Sequence, residues 1–358
     1  MSYLEKIDGW IETWNKNSLI DGVFSPFIMT PTHLNDIPII ARKYGISTFK
    51  FLMAYKGEEA EQLGIAPTDD GQLYEGFKAV AELGPPARAM IHAENMDIIT
   101  RLKEQLKAQG RTDLAAWTDC RPGWVEALDV ERAISIAKVT GCPLYQVHTS
   151  AAESVEAIAK AKAEGVDYIS ETCPPYLTLT KDSPVGNMGK VNPPLKNQKS
   201  IDRLWKGLKE GTVSCLGTDS CPHVAKEMKQ GTIWEAYPGY TCMESYLPIM
   251  LSEGVNKGRI TLERLVECAC RNNAKAFGVF PKKGTISVGS DADLVIVDLD
   301  KKVRLSAETH HECCDFSIYE GWEVKGYPVL TMVHGAVVME DGKVVGKPGI
   351  GRYIPRFI

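Results

Sequence analysis

Four ionisable residues stand where they could do chemistry together. Lys50 lies inside an apolar run, flanked by Phe49 and Phe51. His92, His148 and Asp219 each close or follow another apolar run. A free ammonium walled in by aromatic rings is costly, so Lys50 must pair, give up its proton or be chemically modified. Two neutral imidazoles and a carboxylate are the ligand types that suit zinc and similar divalent ions. Taken singly, each residue also has a plain structural explanation. A histidine at a strand end is commonly a satisfied polar residue, Asp219 could cap the helix that follows, and Lys50 could pair with a carboxylate. The argument for chemistry rests on the combination.

Such a combination needs elements that converge. Short apolar runs recur at residues 23–29, 48–53, 88–91, 143–147, 167–170 and 212–217. Between them lie amphipathic stretches at 35–44, 73–83, 96–108, 125–139, 151–164 and 201–209, with alanine, leucine, lysine and glutamate at helical spacing. Strand–helix alternation of this kind predicts an α/β fold with a parallel sheet. In such a sheet or barrel the carboxyl ends of successive strands meet at one mouth, which would bring the four residues together. Leu262 to Phe277 predicts one more helix. Beyond about residue 284 the chain turns β-rich, and Asp341-Gly342 between two extended runs is a hairpin signal. The division expected is a barrel over 1–283 and a small β domain over 284–358.

Composition removes several alternatives. The 358 residues carry 41 Lys and Arg against 46 Asp and Glu, a net charge of −5, so no global charge favours nucleic acid or an anionic membrane. No apolar run nears the roughly 18 residues of a membrane span, and the N-terminus has no signal-peptide core. Ten cysteines in a chain this long, several inside apolar runs and none in a CxxC pair, read as reduced core residues of a cytoplasmic protein. No GxxxxGK[ST] and no Gly-x-Ser-x-Gly occurs, so neither a phosphate loop nor a serine-hydrolase elbow is supported.

Longer motifs then resemble one family throughout. Phe49 to Tyr55 reads Phe-Lys-Phe-Leu-Met-Ala-Tyr, and His92 to Asn95 reads His-Ala-Glu-Asn. Arg121-Pro122 is followed by Val125-Glu126, and Val147 to Ser150 by the Glu171–Leu177 segment Glu-Thr-Cys-Pro-Pro-Tyr-Leu. Lys283 to Val295 and Gly349 to Tyr353 continue the match. The chain is similar to the amidohydrolase superfamily, in its hydantoinase and dihydropyrimidinase branch, which also holds allantoinases and dihydroorotases. The resemblance implies a (β/α)8 TIM barrel with a small C-terminal β domain. It implies two divalent ions, zinc before others, at the barrel mouth. Lys50 would be carboxylated and bridge them, His92 and His148 would hold the second ion, and Asp219 would hold the first and act as general base. Tyr55 would donate to the oxyanion. The reaction implied is hydrolysis of a small cyclic amide, a hydantoin or dihydropyrimidine ring, to an N-carbamoyl amino acid through a metal-bridging hydroxide. The assembly implied is a homo-oligomer, a tetramer.

The chain also departs from the pattern. The family's first strand carries a His-x-His pair, and none of the seven histidines here is spaced so. The barrel's first two strands are expected to be absent from this chain, with a truncated sequence favoured over a naturally short protein. His33 is expected in a loop. Asn192 and Glu235 stand where relatives read the substrate ring. An ionised Glu235 cannot donate a hydrogen bond as an amide does, which points to a changed substrate. Allantoinase- or dihydroorotase-type activity is the alternative within the enzyme class. A catalytically silent relative serving as a scaffold is the alternative outside it.

Overall fold

The computed structural model describes residues 2–66 and 68–356. Five parallel strands follow one another in chain order in a single sheet: β1 (Thr48–Met53), β2 (Arg88–Ala93), β3 (Leu144–Gln146), β4 (Tyr168–Thr172) and β5 (Cys215–Leu216). Helices connect them, as the alternation predicts. Pro31–Tyr44 precedes β1; Asp70–Leu83, Gly123–Thr140, Ala152–Ala163 and Gln198–Glu210 each lead into the next strand.

The helix starts are written in short polar signals. Thr30 accepts from the His33 N–H with Pro31 in the first turn. Asp69 and Gln72 form a capping box ahead of Asp70–Leu83. Asn95 and Asn197 cap the helices after them. His33 therefore sits in the first turn of a helix, not in a loop. It is buried, and its ring stacks on Tyr3 at 4.3 Å between centroids.

Two expectations about strands change. The run at 23–29 makes a single bridge, Phe27 to Lys50, rather than a strand. The Lys50 N–H donates to the Pro26 carbonyl at 2.8 Å and the Ile28 N–H to the Lys50 carbonyl at 2.7 Å. Pro26 has no N–H to extend the ladder. The run at 212–217 shortens to Cys215–Leu216, paired with Glu171 and Thr172 of β4.

The C-terminal sheet is antiparallel, with β6 (Leu294–Arg304), β7 (Glu323–Val333), β8 (Ala336–Glu340) and β9 (Lys343–Val344) in sequence order. Asp341 and Gly342 both take positive φ, 46° and 76°, which is the two-residue hairpin turn their sequence signals. Helix Leu262–Val266 continues through a wider turn, Glu267–Arg271, into Asn272–Ala276, along the predicted helix.

One apolar core surrounds β1 and β2 and takes in Ile37, Phe49, Phe51, Phe77 and Ile134. A second joins Trp117, Leu204 and Ile249 to Leu305, Tyr319 and Val324 from the C-terminal part. Strands and helices are thereby locked to each other on the outside of the sheet, which leaves the carboxyl edge to polar residues. No described helix is long and apolar enough to cross a membrane.

Candidate active site

The parallel register sets the site. Lys50 is in β1 opposite Met90, and His92 is in β2 opposite Leu52. His148 lies two residues past β3, Asp219 three past β5, and Tyr55 two past β1. All five therefore gather at one carboxyl edge. The His92 and His148 rings meet edge to face, 4.5 Å between centroids and 72° between planes. The Tyr55 ring is 5.1 Å from His92. Tyr55, His148 and Asp219 all hold left-handed backbone, with φ of 66°, 39° and 47°. Such conformations cost about 1–3 kcal/mol each and cluster at functional sites.

The electrostatics follow from burial. His92 and His148 are buried, and desolvation lowers the pKa of both, His148 most, with the neighbouring imidazole and Lys50 adding to it. Both imidazoles are thus neutral at ordinary pH. The buried Lys50 amine and Asp219 carboxyl interact electrostatically. Desolvation lowers the first and raises the second, while their mutual attraction opposes both changes. Burial also raises Tyr55 well above its ordinary value, helped by Glu94 and Asp219, so its hydroxyl keeps its proton as a donor. The buried Nδ1 of His148 has no hydrogen-bond partner.

Three side chains without a role in the sequence reading complete the surroundings. Glu94, two residues past His92, accepts from His92 Nε2 at 2.8 Å. Strand periodicity puts residues i and i+2 on one side, and that spacing was a usable signal. Glu171, at the end of β4, accepts the Tyr145 hydroxyl at 2.7 Å and the His148 backbone N–H at 3.2 Å. The third, Arg121, is fully buried. Its guanidinium lies 3.5 Å over the Trp117 ring, with Nη2 at 2.7 and 2.8 Å from the two oxygens of Glu59 and Nε 3.5 Å from Glu94. No spacing in the sequence links Arg121 to residues 27 and 62 positions away.

The residues expected to contact substrate separate. Asn192 is buried, and its Oδ1 has no partner. Glu235 is exposed and accepts from both the N–H and the hydroxyl of Thr232 at 2.7 and 2.9 Å. The structure does not bring it to the cluster. His92, His148 and Asp219 do not form a trio of ligand atoms within 4.8 Å; the one such trio among the described residues is Asp21, Asp291 and His334. There the Lys283 ammonium is paired with Asp21, Asp291 and Asp293, so a side-chain cation already fills it.

The family model described as the amidohydrolase family matches residues 86–344, most of the chain and all of β2–β5. The chain belongs to the amidohydrolase family. Its relatives place it in the hydantoinase and dihydropyrimidinase branch. It is 39% identical over 360 residues to a D-hydantoinase of Geobacillus stearothermophilus, covering 97% of this chain and 74% of that protein. It is 35% identical over 313 residues to an allantoinase of Rubrobacter xylanophilus, covering 87% and 67%. A solved L-hydantoinase structure from Arthrobacter aurescens superposes with a TM-score of 0.92 at 36% identity, covering 99% of this chain and 78% of that one. This amidohydrolase thus has the TIM-barrel fold, and β1–β5 are strands of its wall. It spans about three quarters of the length of these hydantoinases.

Proposed function

We propose that this amidohydrolase opens a small cyclic amide, a hydantoin or dihydropyrimidine ring, to give an N-carbamoyl amino acid. The observation that carries the reading is the pair of imidazoles packed 4.5 Å apart at the carboxyl edge, one with an unpartnered buried nitrogen, within the electrostatic reach of a buried lysine amine and a buried carboxyl.

This donor set fits divalent ions. His92 and His148 would hold one, Asp219 another, and Lys50, carboxylated, would join them. Carboxylation also answers the cost of the buried amine, since it turns a cation into an anionic oxygen ligand. Zinc suits nitrogen and carboxylate ligands. Ions bound there supply Lewis acidity, which polarises a carbonyl and makes water nucleophilic near neutral pH.

The remaining work falls to the chain's own residues. Asp219, its carboxyl raised by burial, accepts the proton of the attacking water and passes it to the ring nitrogen as the C–N bond breaks. Tyr55 donates its hydroxyl proton to the carbonyl oxygen as that oxygen gains charge. Glu94 holds the His92 ring by Nε2 and so leaves Nδ1 for a ligand role. Asn192 offers an acceptor to a ring N–H. The carboxylate of Glu235 has its hydrogen bonds to Thr232, which supports a turn role beside any substrate role.

The likeness to an allantoinase supports the second reading, a ureido-substituted ring. The division proposed is a barrel over 1–283 and a small β domain over 284–358. A cytoplasmic site fits ten free cysteines, and a homotetramer fits the exposed apolar side chains of Ile286, Val288, Val295 and Ile296. The deciding experiment is ring opening of hydantoin, dihydrouracil and allantoin by the zinc-loaded protein, followed by loss of ring absorbance. Turnover of hydantoin or dihydrouracil is expected. No turnover of any of the three contradicts the proposal.

A further inference from the structure

A cavity of about 60 Å³ lies beside the site, between Trp117, Asn192 and three lysines, Lys103, Lys107 and Lys190. That volume holds a few waters or a two-carbon acid arm. Its position follows from an unbroken chain of contacts. His92 bonds Glu94, Arg121 approaches Glu94 at 3.5 Å, and Arg121 binds Glu59, which lines the cavity.

The charges in the wall do not balance. Glu59 is answered twice, by Arg121 and by Lys103 at 3.2 Å. Lys190 is buried; among the described residues its ammonium meets the carbonyls of Ala236 and Trp234 and the Trp117 ring at 4.0 Å. Lys107 is exposed and, among the described residues, reaches the Trp234 ring at 5.8 Å. Among the described residues neither Lys107 nor Lys190 has a carboxylate within 4 Å. Burial, with Arg121 and Lys103 nearby, lowers Lys190 to about 7, a cost that an anion in the cavity would remove. Beside these two lysines stands the unpartnered Oδ1 of Asn192, which calls for an N–H.

One ligand answers all three at once. We infer that the cavity holds the acidic arm of the substrate, so that the preferred substrate is a cyclic amide whose ring substituent ends in a carboxylate. The ring N–H meets Asn192, and the carboxylate meets Lys107 and Lys190. The inference rests on the ring-opening reading and narrows its substrate class.

The test compares 5-carboxymethylhydantoin with 5-carbamoylmethylhydantoin, its neutral near-isostere, using the zinc-loaded full chain. A kcat/KM at least about tenfold higher for the acid is expected, the scale of one charge-assisted hydrogen bond. Lys107→Gln, at an exposed position, should cut that ratio severalfold, and Lys190→Met should do the same. Equal rates, or a preference for the neutral compound, overturn the inference and leave ring opening intact if unsubstituted hydantoin is turned over. A ratio that neither variant changes also overturns it. No turnover of any hydantoin removes the inference together with the reading beneath it.

Discussion

Replacing Glu59 by glutamine should weaken the fold in a way that fades in acid. Burial alone would raise the Glu59 carboxyl, but Arg121 and Lys103 outweigh it and hold the pKa at about 2, against an ordinary 4.5. Its side chain is only 12% exposed, so solvent screening is modest. At about 1.4 kcal/mol per tenfold change in proton affinity, that depression is worth about 3 kcal/mol. The folded pKa is depressed, so the contribution is complete above the unfolded value of 4.5 and is lost as pH falls toward 2. Between about pH 7 and about pH 3.5, linkage removes about 1 kcal/mol of it. Glu59→Gln should therefore cost about 3 kcal/mol at neutral pH and about 2 kcal/mol at the lower pH. Removing one partner of a buried ion pair falls in the same range, about 3–5 kcal/mol. Equilibrium urea unfolding of both proteins at the two pH values reads the difference directly. A variant whose deficit is the same at both, or below about 0.5 kcal/mol at neutral pH, would refute the reasoning that Arg121 and Glu59 form a working buried pair.

Tyr55→Phe keeps the ring beside His92 and removes the hydroxyl, so kcat on a turned-over cyclic amide should fall about 10²–10³-fold with KM little changed; a rise in KM at constant kcat would mean that Tyr55 only binds. Gly217→Ala would put a Cβ 2.5 Å from the Glu171 carboxylate, so it should cost about 1–3 kcal/mol of stability and lower activity by displacing the group that braces His148 and Tyr145. Unchanged melting and unchanged rates in that variant would show that Glu171 can step aside freely.

Much of this was readable in the sequence, for reasons that can be named. The helices announce themselves through caps, such as Asp69 with Gln72 and Thr30 before Pro31, and through amphipathic spacing. Lys50 announces itself because an amine between two phenylalanines has few physical outcomes. His92, His148 and Asp219 announce themselves because parallel strands bring their carboxyl ends to one edge. What stayed hidden depends on contacts between distant positions. Arg121 joins Glu59, Glu94 and Trp117 only after three separate elements have packed, and no local pattern records that. The run at 23–29 has the composition of a strand, but Pro26 and its place against β1 leave it one bridge. Glu235 is a carboxylate in the right motif whose hydrogen bonds go to its own turn, a local choice that residue type alone cannot reveal.

The central claim is that Lys50 and Asp219, with the two histidines, form a site for divalent ions in which the lysine is a ligand. Elemental analysis after loading with zinc and bicarbonate tests it most directly, on the wild type and on Lys50→Ala, with circular dichroism to establish that both are folded. About two ions per wild-type chain are predicted, with fewer than one in the folded variant and partial recovery on adding a short carboxylic acid. Equal zinc content in wild type and variant, or none in a folded wild type, would contradict it.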